Sequence, residues 1–108
     1  MSRYLLIESR DPFESRDAER LGELAAGLVR EGHAVTLFLV QNGVFAARIA
    51  ARAGALSTAL PAGVTVLADD FSLRERGVLA ERLAPAVAPA SLDVVIEHLE
   101  QGGKALWH

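Results

Sequence analysis

The stretch Ala34–Val40 reads AVTLFLV, almost wholly apolar and rich in β-branched and aromatic side chains. A strand of that composition has no face to give to water, so both sides of its sheet must be covered, as parallel α/β sheets are. Two further short apolar runs, YLLI at Tyr4–Ile7 and VTVLA at Val64–Ala68, stand before and after it. Between the first two, Leu21, Leu24, Ala25 and Leu28 recur at i, i+3, i+4 and i+7, the stripe of an amphipathic helix. Ser15 or Asp17 is placed to cap its start, and Gly32 supplies the left-handed residue that ends it. The stretch VFAARIAARAG then reads as a second helix closing at Gly54, and a loop with Pro61 and Gly63 leads to the third strand.

The stretch VLAERLAPAVAPASL carries Pro85 and Pro89, so any helix there is broken or short. Ser91 caps a final helix with Leu92, Val95, Ile96 and Leu99 on one face, Gly102-Gly103 ends it, and KALWH reads as a last short strand. Strand and helix alternate over short connections. The expectation is an α/β fold, a three-layer sandwich around a mainly parallel sheet of four or five strands, with residues 1–108 forming a single domain.

Hydrophobic residues make up 51% of the chain and mean hydropathy is +0.25, high for 108 residues. A domain of this size has a modest core, so part of the apolar surface is expected to be buried between subunits. Net charge is -3 and the basic residues are scattered, which is not the footprint of a nucleic-acid binder. No run of 18 apolar residues offers a membrane span, and residues 1–20 carry charges throughout, unlike a signal peptide. The expected compartment is the cytoplasm. Cysteine is absent, which excludes disulfides, thiolate metal sites and thiol chemistry by this chain.

In open parallel sheets, ligands bind beyond the carboxyl ends of the strands. The first strand delivers Glu8, Ser9, Arg10 and Asp11 there, the second Gln41, Asn42 and Gly43, the third Asp69 and Asp70. From these, Arg10, Asp11, Gln41, Asn42, Asp70 and Ser72 are candidates for a pocket rim around Asp69; the duller reading is that strand-to-helix loops are commonly polar. Adjacent aspartates in extended chain face opposite sides, so Asp69-Asp70 is not a proton-sharing dyad. The structural reading makes Asp70 or Ser72 the cap of a following helix, with Asp69 in the turn and Ser72/Glu75 in capping-box spacing. Arg74 and Arg76 attract an anion at that helix start or are simply solvated charges. His33, His98 and His108 have no evident partners in sequence and are assigned surface or packing roles. No metal site, cofactor or phosphate loop is expected, since neither His-x-His nor G-x-G-x-x-G spacing occurs.

The run YLLIESRDPFESRDAERLGELAAGLVREGHAVTLFLVQNGVFAAR followed by GVTVLADDFSLRERGV resembles the DsrE/DsrF-like family, which includes the sulfur-relay subunits TusD, TusC and TusB. The most telling pieces are FLVQNGV (Phe38–Val44), LRERGV (Leu73–Val78) and the closing LEQGGKALWH. The resemblance implies a small parallel α/β domain assembled as trimers, hexamers or hetero-hexamers, whose members pass sulfur as a cysteine persulfide. It implies an active cysteine just after the third strand; here Asp69 stands at or beside that position, and Ser72 where some members carry a second cysteine. A carboxylate is a harder, weaker nucleophile and forms no persulfide, so that role does not carry over.

Three functions follow. The first is a non-catalytic DsrE-like subunit, homo-oligomeric or working beside a cysteine-bearing relative or a sulfurtransferase. The second is a ligand-binding module using the rim. The third, an enzyme with Asp69 as base or nucleophile, needs a raised pKa and a partner that the sequence does not supply.

Overall fold

The computed structural model describes residues 2–14, 16–48 and 56–108. Five strands form one sheet in the order β4-β3-β2-β1-β5, every neighbouring pair parallel. They are β1 (Arg3–Glu8), β2 (Ala34–Leu39), β3 (Thr65–Asp69), β4 (Val87–Ala90) and β5 (Lys104–Trp107). Helix α1 (Asp17–Arg30) follows β1, α2 (Ala59–Ala62) precedes β3, α3 (Asp70–Glu75) follows it, and α4 (Asp93–Glu100) joins β4 to β5.

The period of two along each strand sorts the core into two layers. Leu6, Leu37, Leu39, Val66 and Ala68 face the side covered by Leu21 and Ala25 of α1 and Ala59 of α2. Leu5, Ile7, Phe38 and Val40 face the other side, under Val94 and Val95 of α4. That second layer is thin. Among the described residues its helical cover is the eight-residue α4, and Leu92 at its N-cap and Ile96 and Leu99 within it stay more than half exposed. The expected three-layer α/β sandwich is therefore present, with all five strands parallel.

Several local expectations are corrected. The proline-bearing stretch holds a strand as well as a short 3₁₀ turn at Ala80–Arg82: Pro89 lies within β4, which is tolerated because β4 is an edge strand. Gln41–Ala47 is a 3₁₀ helix and Arg48, expected to be helical, is extended and bridges Leu83; residues 49–54 of the expected helix lie outside the described residues, as does the Ser15 cap. The α1 N-cap is Arg16, without a side-chain bond, and Asp17 is the first helical residue. A short α2 occupies the loop expected around Pro61, and Gly63 at φ 95° ends it. Gly32 (φ 93°) and Gly102 (φ 75°) take the left-handed conformations expected of them.

Among the described residues no helix is long and apolar enough to cross a membrane.

Candidate functional site

The neighbouring strands β2 and β3 end at one rim, and a chain of hydrogen bonds ties their exits together. Asp69, the last residue of β3, is the N-cap of α3: its Oδ2 accepts the Ser72 backbone N–H at 3.0 Å. The same oxygen accepts the Ser72 hydroxyl at 2.6 Å. Ser72 Oγ in turn accepts the backbone N–H of Gln41, at the exit of β2, at 2.8 Å. The expected roles of Asp70 and Ser72 as caps are thus corrected: Asp69 caps, Ser72 sits in the first turn, and Asp70 turns outward to Arg74 at 3.8 Å. The sequence signal for this was S/T/D/N three residues before a bonded N–H, read one step too late.

The geometry limits the chemistry. Ser72 is 3% exposed and its proton is given to a carboxylate, so it is a bracket between two loops and not a presented nucleophile. Asp69 is 4% exposed, and its Oδ1 has no hydrogen-bond partner among the described residues. Gln41 holds a left-handed backbone (φ 50°), a conformation costly for a residue with a Cβ and maintained here by the bond to Ser72. Asn42 Oδ1 accepts Arg76 Nε–H at 2.8 Å, which closes the outer edge of the rim.

Beside this bracket lies a cleft of about 330 Å³, the lower end of small-molecule pocket sizes. Val40, Phe71, Leu92 and Trp107 give it apolar walls, and Gln41, Asp69, Ser72, Glu75 and Arg76 give it a polar floor and edge. A broader depression of about 660 Å³ adjoins it at Arg76 and includes Arg48, Val78, Leu79 and Arg82. Arg48 stacks over the Phe45 ring at 4.8 Å.

Gln41 and Ser72 are bonded into one set with Asp69; Asn42 is bonded instead to Arg76, and Arg10 and Asp11 are not placed in that set. Asp11 Oδ1 accepts the Phe13 N–H at 2.8 Å within its own turn. Arg10 reaches Asp17 at 3.9 Å. Phe71, Leu92 and Trp107, which wall the cleft, were not legible as site residues, because an isolated apolar residue in sequence reads as core.

The histidines divide. His33 Nδ1 accepts the Ser2 N–H at 3.0 Å and the ring stands edge-on to Tyr4. His98 is buried and its Nε2–H donates to the Lys104 carbonyl at 2.8 Å, joining α4 to β5. His108 has partners that sequence spacing hides: its Nδ1 lies 3.0 Å from Oε2 of Glu8, a hundred residues away.

No family model and no curated protein matches the chain. Solved structures do. The ychN protein from E. coli superposes with a TM-score of 0.87 at 19% identity, over 100% of both chains. MTH1491 from Methanobacterium thermoautotrophicum, a protein of unknown function, gives 0.76 at 19% identity, also over 100% of both. BT1422 from Bacteroides thetaiotaomicron, again of unknown function, gives 0.73 at 16% identity over 99% of this chain and 95% of that one. The likeness is one of fold.

Proposed function

We propose that this chain is a thiol-free, non-catalytic subunit of a DsrE-like assembly in the cytoplasm, homo-oligomeric as a trimer or hexamer and acting beside a cysteine-bearing partner in sulfur transfer. The observation that carries this reading is the exit of β3. Where the resemblance calls for a sulfur-carrying cysteine, the chain has Asp69, committed to Ser72 as a helix cap, and it has no cysteine anywhere. A carboxylate cannot form a persulfide, so the scaffold is retained without its carrier atom.

The subunit part of the reading is supported by apolar side chains left in water. Phe71, Leu92, Ile96, Leu99 and Trp107 are each more than half exposed, and α4 leaves the second layer thinly roofed. Such surface favours burial against another chain.

Mass spectrometry after incubation with a persulfide donor tests the chemistry, and light scattering of the purified chain tests the assembly. The wild type is expected to take up no sulfur and to run as an oligomer. Sulfur bound to the wild type, or a monomer at micromolar concentration, refutes the reading.

A second reading, a small-ligand module, is favoured by one feature. Asp69, whose buried Oδ1 has no hydrogen-bond partner among the described residues, lines a cleft with apolar walls, suited to a donor-bearing ligand with an apolar body. A thermal shift with such a ligand, abolished in Asp69→Ala, would support it.

A further inference from the structure

The sheet order β4-β3-β2-β1-β5 has one place where the winding reverses. From β1 the chain proceeds outward through β2, β3 and β4, then returns by α4 to the other side of β1. The gap between the carboxyl ends of β1 and β5 is therefore the topological switch point, where open α/β sheets make their binding crevices. It is distinct from the Asp69 rim, which joins β2 to β3.

Three donor side chains converge there from distant parts of the chain: Glu8 at the end of β1, Asp17 at the start of α1, and His108 just past β5. One donor atom from each lies within 4.8 Å of the others. Oε2 of Glu8 is 3.0 Å from His108 Nδ1, and Oδ2 of Asp17 is 3.7 Å from His108 Nε2. Glu8 is fully buried, and its second oxygen, Oε1, has no hydrogen-bond partner among the described residues.

Two carboxylates held this close repel, and one is out of water. Burial pushes the Glu8 carboxyl above its usual range; His108 pulls it back, Asp17 raises it further, and the Arg10 backbone amide lowers it slightly. Arg10, largely exposed, reaches only Asp17, and at 3.9 Å. A divalent cation balances both carboxylates and gives the orphaned oxygen a partner.

We propose that Glu8, Asp17 and His108 form a binding site for a divalent first-row transition cation of the zinc type. The donor set decides the class: an imidazole nitrogen with two carboxylates suits zinc, manganese or iron(II), whereas magnesium and calcium prefer oxygen alone. Ligand atoms about 2.0–2.2 Å from one ion stand at most ~4.4 Å apart, so the triad closes on a cation by side-chain adjustment. The side chains of Asp17 and His108 are 22% and 45% exposed, so the ion is reached from solvent and keeps open positions there. Three protein ligands with an open position is the arrangement of exchangeable zinc sites, and structural zinc sites are closed by four. Bound there, the ion clamps β1, α1 and β5 together.

The test uses the untagged full chain, stripped with EDTA and titrated with zinc by calorimetry, with metal content measured after dialysis. One zinc per chain is expected, with a rise in Tm of about 10 °C or more at a hundred times its Kd. His108→Ala and Asp17→Asn are each expected to weaken binding at least tenfold, while His33→Ala leaves it unchanged. Should one of the first two fail to fold by circular dichroism, the other decides, because both lie on the solvent side of the site. Absence of zinc binding by the folded wild type, affinity untouched in both variants, or equal binding of magnesium overturns the proposal.

Discussion

Gly43 is the position where one methyl group should do most damage. It follows β2 inside the 3₁₀ helix, and a Cβ built on it would overlap the backbone carbonyl oxygen of Glu8, with Glu8 C at 3.0 Å and Ser9 Cα at 3.4 Å. These are backbone atoms of a central strand, so no side chain can rotate away. The β1 and β2 exits must part by about 1 Å to restore van der Waals distance. That movement stretches the bond in which the Val40 N–H donates to the Glu8 carbonyl at 2.9 Å. Overpacking costs about 1–3 kcal/mol and an unsatisfied buried backbone pair about 1–3 more, so Gly43→Ala should destabilise by roughly 2–6 kcal/mol. At about 4–8 °C of Tm per kcal/mol, the melting point should fall by about 8 °C or more. Gly27 is the control. It lies within α1 with nothing nearer than Arg30 Nη2 at 3.8 Å, and Gly27→Ala should stabilise by about 0.5–1 kcal/mol through lower backbone entropy in the unfolded chain. Urea unfolding followed at 222 nm measures both. A Gly43→Ala loss below about 1 kcal/mol would refute the close-approach argument.

Asp69→Ala should lose about 2–4 kcal/mol in urea unfolding, since it removes a helix cap and strands the buried Ser72 hydroxyl; Asp69→Asn, which keeps an acceptor oxygen, should lose less. In chelator, stability should fall as pH rises from about 4.5 through the raised Glu8 value, because over that window the folded state binds the proton more tightly than the unfolded one. Glu8→Gln should flatten that slope, as denaturant midpoints across pH will show; an unchanged slope counts against a buried carboxyl at this position. Ile96→Glu combined with Leu99→Glu should leave the midpoint within about 0.5 kcal/mol yet dissociate the proposed oligomer in light scattering, both residues being more than half exposed in the chain alone.

How much of this was legible follows from the range of each interaction. The apolar run at Ala34–Val40 announced a doubly covered parallel sheet because burial on both faces leaves a local mark, and Phe38, Leu37 and Leu39 are indeed fully buried. Strand β4 left no such mark: VAPA is short, carries a proline and lies at an edge, where half its hydrogen bonds are not needed. Strand order was not written locally either. Whether β5 joins beside β4 or returns to β1 depends on which face α4 covers, and both are compatible with the same stripe of Val95, Ile96 and Leu99. The strand-end rule brought Gln41 and Ser72 to the neighbourhood of Asp69, because β2 and β3 are consecutive and adjacent. It could not find His108 as a partner of Glu8, since that pairing exists only through the return crossover.

The two ends of that rim solve the same problem in opposite ways. A parallel sheet delivers several polar side chains to its carboxyl edge, and each buried carboxylate there needs donors. At β3 the fold supplies them from its own chain: one oxygen of Asp69 takes both the Ser72 amide and the Ser72 hydroxyl, and Ser72 in turn receives Gln41. That oxygen of the carboxylate is spent on architecture. At β1 no helix begins at the next residue; Glu8 is bonded to a half-exposed ring from the far end of the chain, and a second carboxylate stands beside it. Local capping closes the first site. At the second the proposed partner is a cation, so the two positions should respond oppositely to metal, with Asp69→Asn indifferent to zinc and Asp17→Asn losing it.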